Sequence, residues 1–214
     1  MTLQLGDTAP NFQATTTQGE LDFYEWAGED WVVLFSHPAD FTPVCTTELG
    51  MVARLQDEFA KRNVKTIAVS VDELSDHEGW IGDINETQQT EVTYPIIADP
   101  DREVATKYGM LHPKADSTHT VRSVFVIDPS HTVRLTLTYP APTGRNFEEI
   151  LRVIDSLQLT DGFSVATPVN WTQGDDVIIS PAISNEDAAE KFPAGFRELR
   201  PYLRLTPQPD RTRS

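Results

Sequence analysis

The sequence predicts an α/β fold in which helices flank a mixed central sheet, with a small extension domain at the C-terminal end. Short, apolar, β-branched segments typical of buried strands alternate with longer segments whose apolar residues recur at helical spacing. After about residue 160 this alternation ends and prolines become frequent. We therefore predict a core domain at residues 1–160 and a C-terminal extension at residues 161–214.

The first half of the chain supplies a hairpin, two strands and the helix between them. The hairpin, at residues 12–17 and 20–24, turns around Gly19, and residues 31–36 follow as a short apolar run typical of a buried strand. Thr42 has the character of a helix N-cap because a proline follows it at the first helical position. Apolar residues then recur at helical spacing to about Arg62, and residues 64–71 repeat the buried-strand pattern.

The remaining core elements follow the same two patterns. Predicted helices carry an apolar stripe, and predicted strands are short and apolar, while Gly109 has the position of a C-terminal helix glycine. These elements are a helix at 75–86, a strand at 94–98, a helix at 101–108, a hairpin at 122–127 and 132–138, and a helix at 146–157.

The chain is strongly acidic, with 33 Asp and Glu against 17 Lys and Arg and a net charge of −16. This charge repels nucleic acid and anionic membrane surfaces, so we expect neither as a partner. No apolar run approaches a membrane span, and the N-terminal residues lack the features of a secretory signal, which predicts a cytoplasmic protein. The acidity itself is open to two interpretations, an ordinary solvated surface or adaptation to a salty cytoplasm.

Cys45 is the one cysteine of the chain. An internal disulfide, a CxxC redox pair and a cysteine-rich zinc site are therefore excluded. The five histidines lack the spacing of metal ligands, and no glycine-rich phosphate loop is present. We expect the protein to need no metal, haem, flavin or other cofactor.

The position of Cys45 indicates a reactive thiolate. It is the third residue after Thr42, which places the cysteine in the first turn of the predicted helix. Unpaired N–H groups in that turn, together with the helix dipole, favour thiolate over thiol. The Thr42 hydroxyl can donate and accept hydrogen bonds, and the rigid Pro38 can shield the sulfur from water. The alternative is an inert buried thiol, the commoner role of a free cysteine.

Residues 37–49 read His-Pro-Ala-Asp-Phe-Thr-Pro-Val-Cys-Thr-Thr-Glu-Leu and resemble the active-site motif of the peroxiredoxins, P-x-x-x-T-x-x-C. The histidine before the proline and the Pro-Val-Cys-Thr-Thr-Glu-Leu ending resemble the one-cysteine subfamily in particular. Residues 143–152, 166–171 and 202–207 resemble later signatures of that subfamily. Several motifs in the right order, spread over nearly the whole chain, make the resemblance specific.

The resemblance implies a thioredoxin-like fold and a thiol peroxidase that reduces hydrogen peroxide and organic hydroperoxides in antioxidant defence. Cys45 matches the family's peroxidatic residue, which forms a sulfenic acid, and Thr42, Arg122 and Pro38 match its other catalytic positions. Because the chain has no second cysteine, an external thiol or other donor must reduce the sulfenic acid. The subfamily also implies a homodimer or a higher ring, with the extension at a subunit interface.

Three further residues match supporting positions, and the residues alone leave their roles open. His37 either hydrogen-bonds the sulfur or caps a loop. Glu48, three residues after Cys45, either orients the arginines or is a carboxylate favoured by the start of a helix. Arg145 matches a second arginine of the subfamily, and we expect it to support the first.

Three other functions stand beside the peroxidase. A peroxide sensor or redox relay would use the same Cys45 and pass its oxidation to one partner protein in stoichiometric amount. An oligomeric chaperone would still protect client proteins after Cys45→Ser. A disulfide oxidoreductase of the thioredoxin type is disfavoured by the absence of a CxxC pair.

Overall fold

The computed structural model describes residues 3–116 and 118–210 of the chain. It contains two compact units, Met1–Phe147 and Glu148–Ser214, each with a sheet of its own. The domain boundary at residue 160 that we expect from the sequence stays a prediction.

A seven-stranded mixed sheet forms the first unit. Its strands are β1 (Gln13–Thr16), β2 (Gly19–Asp22), β3 (Trp31–Ser36), β4 (Val64–Ser70), β5 (Ile96–Ala98), β6 (Arg122–Ile127) and β7 (Val133–Tyr139). They are ordered β2-β1-β5-β4-β3-β6-β7, with β3, β4 and β5 parallel and the other neighbours antiparallel. Every residue of β3 is buried, which explains its continuous apolar sequence and confirms the predicted strand.

The helices of the first unit differ from the predicted ones in two places. They are α1 (Phe23–Ala27), α2 (Pro43–Arg54), α3 (Gln56–Ala60), α4 (Leu74–Gln88) and α5 (Glu103–Lys107). Asp22 accepts hydrogen bonds from the amides of Tyr24 and Glu25 and so caps α1, where the hairpin was predicted to continue. The helix predicted to reach Arg62 breaks at Leu55, whose amide is shared between two preceding carbonyls.

One face of the central sheet packs against α1 and α5. Val32 and Leu34 of β3 point to the same side as Ile67 and Val69 of β4 because alternate residues of a strand share a face. Side chains of both helices join them in one buried cluster, and this packing fixes the central strands on which the site is built.

The pairing of β3 with β6 brings together the segments that carry the site. Residues 37–42 connect the carboxyl end of β3 to α2. Because β6 runs antiparallel to β3, with Phe35 opposite Val124, its first residue Arg122 lies beside that carboxyl end. The sheet register thus places Arg122 next to the loop before α2.

The second unit contains a four-stranded antiparallel sheet in the order β10-β11-β9-β8. Its elements are α6 (Phe147–Gly162), β8 (Val165–Ala166), β9 (Val177–Ile179), α7 (Asn185–Lys191), β10 (Arg197–Arg200) and β11 (Leu203–Thr206). A small core of its own includes buried Trp171, Val177, Ile179 and Phe192. Within residues 3–116 and 118–210, no helix combines the length and the apolar composition that crossing a bilayer requires.

Candidate active site

Cys45 is the third residue of α2 and is 1% exposed. The first hydrogen bond of the helix runs from the Thr46 amide to the Thr42 carbonyl at 3.0 Å, so the amides of Val44 and Cys45 precede it. Thr42 is the N-cap residue, in agreement with the sequence pattern. The sulfur therefore lies in the positive field at the start of the helix.

The Thr42 hydroxyl does not cap the helix. It donates to the carbonyl oxygen of Ala39 at 2.7 Å. Because this bond uses its only proton, the oxygen can only accept a further hydrogen bond. Pro38 lies half-buried in the same loop.

Arg122 contacts the sulfur directly. Its Nη1 lies 3.3 Å from Cys45 Sγ and donates to Glu48 Oε2 at 2.7 Å. Its Nε and Nη2 both donate to the carbonyl oxygen of Ala141, at 2.8 and 2.7 Å. The guanidinium is thus fixed by bonds along two of its edges, with one N–H group directed to the sulfur.

Arg145 holds the other side of the Glu48 carboxylate. Its Nε and backbone amide donate to Oε1 at 2.9 and 2.8 Å, and its Nη2 donates to Oε2 at 2.7 Å. Its Nη1 donates to the carbonyls of Ser36 and Ser123 at 2.8 and 2.9 Å. Glu48, which is 3% exposed, therefore joins the two arginines into one buried network.

The charges of this network leave an excess of one positive charge beside Cys45. Burial raises the pKa of Glu48, but the hydrogen bonds and charge of Arg145 and the charge of Arg122 outweigh it and hold that pKa below its ordinary value. Arginine stays protonated, so the network carries two positive charges and one negative charge. A thiolate at Cys45 would bring the total to zero.

His37 does not hydrogen-bond the sulfur in this structure. Its ring is fully buried, with Nε2 2.7 Å from Asp40 Oδ1, and its Nδ1 has no hydrogen-bond partner among the described residues. Its amide donates to the Val69 carbonyl, and its own carbonyl accepts from the Thr120 hydroxyl at 2.7 Å. His37 therefore ties the loop to β4 and to the segment before β6.

Sequence reasoning missed two residues of this region, Asp40 and His77. His77 is fully buried on α4, and its Nδ1 lies 2.5 Å from Asp40 Oδ2. The available signal was helical spacing, because His77 lies three residues before Trp80 and seven before Ile84 on the apolar face of the predicted helix.

Two models of known protein families match most of the chain. The AhpC/TSA family model matches residues 5–136, and the model of the C-terminal domain of 1-Cys peroxiredoxin matches residues 156–195. A 1-Cys peroxiredoxin of Dictyostelium discoideum is 53% identical over 209 residues, which cover 98% of this chain and 87% of the relative. This chain belongs to the 1-Cys peroxiredoxins. It is accordingly a thiol-dependent peroxidase with a single cysteine.

Two solved peroxiredoxins have nearly the same fold. The peroxiredoxin 6 of Arenicola marina, solved as a cysteine-to-serine mutant, is 48% identical with a TM-score of 0.90, covering 97% of this chain and 99% of that one. The yeast mitochondrial 1-Cys peroxiredoxin, studied for thiol resolution through glutathione and thioredoxin systems, is 52% identical with a TM-score of 0.90, covering 96% and 99%. These matches confirm the thioredoxin-like α/β fold expected from the resemblance.

Proposed function

We propose that Cys45 is the peroxidatic nucleophile of this peroxiredoxin, and that Arg122 and Thr42 bind the two oxygens of the hydroperoxide. The observation that carries this proposal is the contact of 3.3 Å between Arg122 Nη1 and Cys45 Sγ, within a buried network that has one uncompensated positive charge. That charge favours the thiolate, which is the reactive form of cysteine.

The reaction is a displacement at oxygen. The thiolate attacks the terminal oxygen of the hydroperoxide, the S–O bond forms as the O–O bond breaks, and the leaving oxygen departs as alkoxide or hydroxide and takes up a proton. The sulfur is oxidised to sulfenic acid, and the peroxide is reduced to an alcohol or water. Arg122 stabilises the charge that develops on the leaving oxygen. Thr42 accepts from the O–H of the hydroperoxide, because its own proton is held by Ala39.

Glu48, Arg145 and Pro38 support the reaction without contacting the peroxide. Glu48 and Arg145 are positioning residues that hold Arg122 in place through the hydrogen bonds of the buried network. Pro38 limits the approach of water to the sulfur. The sequence resemblance implies the same division, with Glu48 and Arg145 at supporting positions and Pro38 at a catalytic one.

We further propose hydrogen peroxide and organic hydroperoxides as substrates and an external thiol as reductant. Cys45 has no second cysteine in the chain with which to form a disulfide. The study of the yeast relative through glutathione and thioredoxin systems supports a small thiol or a thiol protein in this role.

For assembly and location we propose a cytoplasmic homodimer. In the described part of the chain β7 ends the central sheet and pairs only with β6, so its outer edge can pair with a second copy. The net charge of −16 disfavours nucleic acid and anionic membranes as partners. Sedimentation of the reduced protein checks the assembly: twice the chain mass supports the dimer, and larger multiples indicate a ring.

The central experiment is stopped-flow mixing of the reduced protein with one equivalent of hydrogen peroxide. Trp80 provides the signal, because its Nε1 donates to the hydroxyl of Thr46, next to Cys45. We expect a fast fluorescence change and one added oxygen on Cys45 by mass spectrometry, both absent in Cys45→Ser. A rate no higher than that of a free thiol would refute the proposed active site.

A further inference from the structure

Three buried ionisable side chains, His37, Asp40 and His77, form a cluster that is distinct from the arginine–glutamate network. His37 Nε2 lies 2.7 Å from Asp40 Oδ1, and His77 Nδ1 lies 2.5 Å from Asp40 Oδ2. The second nitrogen of His77, Nε2, lies 3.1 Å from the carbonyl oxygen of Ile97. The displacement at oxygen proposed above assigns no role to His77 or Asp40.

The distances in the cluster indicate shared protons and not ligands of one metal ion. Nitrogen and oxygen ligands about 2.0–2.1 Å from a tetrahedral zinc ion lie about 3.3 Å from one another. The contact of 2.7 Å between His37 and Asp40 lies in the range of charge-assisted N–H···O hydrogen bonds, and the contact of 2.5 Å between His77 and Asp40 is shorter still. A metal ion would have to push the three groups apart.

The hydrogen-bond partners fix the protons of His77. The carbonyl of Ile97 can only accept, so His77 Nε2 carries a proton. A contact of 2.5 Å between His77 Nδ1 and a carboxylate oxygen also requires a proton between them. With Asp40 ionised, both protons belong to His77, whose positive charge then balances the buried carboxylate.

His37 completes the proton count. Its Nε2 faces the ionised Asp40 and must therefore donate. Its Nδ1 is buried and has no partner among the described residues, so a proton there would be an unpaired buried N–H close to a positive His77. His37 is accordingly neutral, with a bare Nδ1.

We propose that His77 is a positioning residue: acting through Asp40, its charge holds His37 as a neutral imidazole with a bare Nδ1 acceptor in the active-site loop. The inference rests on the proposed function, because this loop is the one that carries Pro38 and Thr42. The bare nitrogen has no partner among the described residues and can only accept a hydrogen bond.

The groups that face His37 support this assignment. Burial is the largest effect and lowers the pKa of His37; the hydrogen bond and charge of Asp40 raise it, the charge of His77 lowers it, and the charge of Asp72 raises it. Burial also raises the pKa of Asp40, but the two histidines outweigh it and keep that pKa below its ordinary value. Without a positive charge at position 77, Asp40 would draw a second proton onto His37.

The test combines NMR of the histidine side-chain nitrogens with the peroxide reaction, using the reduced full-length protein. In the wild type we expect His37 protonated on Nε2 only and His77 protonated on both nitrogens. In His77→Gln we expect the midpoint of His37 protonation to rise by about one pH unit or more. The rate of the peroxide reaction should then fall along the same curve, because a protonated Nδ1 can no longer accept.

A second variant keeps the test decisive if His77→Gln does not fold. Asp40→Asn has nearly the same shape but presents an NH₂ group to His77 Nδ1, so His77 should lose that proton and become neutral. His131→Asn is the matched control, because His131 stacks on Tyr24 and lies outside the cluster. Its replacement should leave the His37 signals and the pH profile unchanged.

Three results would overturn the inference. The first is a wild-type His37 with a proton on Nδ1, and the second is a midpoint of His37 protonation that His77→Gln does not change. The third is a rate of the peroxide reaction that does not change with pH around that midpoint. Failure of the proposed function is distinguishable from these. A wild-type protein that reacts no faster than a free thiol would refute the active site, while the NMR spectra would still report the state of His37.

Discussion

Two buried ionic clusters each include a residue close to Cys45 in the sequence, and they are built from different kinds of charge. The network of Arg122, Glu48 and Arg145 consists of two permanent cations around one carboxylate. In the cluster of His37, Asp40 and His77 every member can gain or lose a proton. The first keeps an excess positive charge for the sulfur at any working pH, whereas the second can relieve an imbalance by moving a proton.

The largest effect should come from removing the cation that contacts the sulfur. Arg122→Met takes away the Nη1 donor 3.3 Å from Cys45 Sγ, and we expect the rate of sulfenic acid formation to fall by about 10²–10³-fold. Stopped-flow mixing with hydrogen peroxide measures this rate. Arg200→Met is the control, because Arg200 is exposed and, among the residues that the structure describes, its side chain donates only to the adjacent carbonyl of Leu199. Equal rates in wild type and Arg122→Met would mean that the permanent-charge network does not act in catalysis.

Breaking the carboxylate of the arginine network should destabilise the fold strongly. Glu48→Gln leaves two buried guanidiniums that cannot lose their protons, and we expect a loss of about 3–5 kcal/mol in the free energy of unfolding at pH 7. Urea unfolding measures it. Glu58→Gln removes an exposed partner of Lys61 and Arg62 and should change the free energy of unfolding very little. A similarly small change in Glu48→Gln would contradict the prediction that this variant leaves two buried guanidiniums without a balancing charge.

The same operation on the histidine cluster should have a smaller effect. Asp40→Asn also removes a buried carboxylate, but His77 can release its extra proton, so we expect a loss of about 1–3 kcal/mol, that of an imperfectly paired polar group. Urea unfolding of both variants at one pH gives the comparison. A loss as large as that of Glu48→Gln would show that the histidine cluster cannot adjust its charge.

The smallest expected effect is in the pH dependence of stability, because the two clusters should lose their contributions over different pH ranges. The folded pKa of His37 lies below its ordinary value of 6.5, so the unfolded chain binds more protons and this contribution to stability is lost as the pH falls below about 6.5. The pKa of Glu48 lies below its ordinary value of 4.5, so its contribution is lost only below about 4.5. Between pH 6.5 and 5, stability should therefore fall less in His37→Gln than in the wild type. Parallel curves over that range would be contrary to a neutral buried His37.

The sequence predicted the parts of the fold and the site that depend on local pattern. β3 was recognisable because a strand buried on both faces is a continuous apolar run, and the Thr-Pro-x-Cys segment placed Cys45 in the first turn of a helix. The strands of the second unit, two to four residues long, carry too little periodicity to be recognised.

Partners that are distant along the chain left no such local signal. Arg122 and Arg145 lie 77 residues from Cys45 and 97 residues from Glu48, respectively, and only the family resemblance pointed to them. His77 shares its helix face with apolar residues, so its charge could not be foreseen without the facing Asp40. The break at Leu55 and the cap at Asp22 depend on which of several nearby groups each amide hydrogen-bonds. The residue composition alone does not predict that choice.

The burial of Cys45 has a consequence for the second half of the catalytic cycle. At 1% exposure the sulfur lies within reach of a molecule as small as hydrogen peroxide, but a thiol carried on a peptide or protein needs room for its own backbone. For re-reduction by such a thiol we expect the first turn of α2 to open and uncover the sulfenic acid. At high concentration of such a reductant we expect the turnover rate to become that of the opening, so that thiol peptides and thiol proteins of different size reach the same plateau.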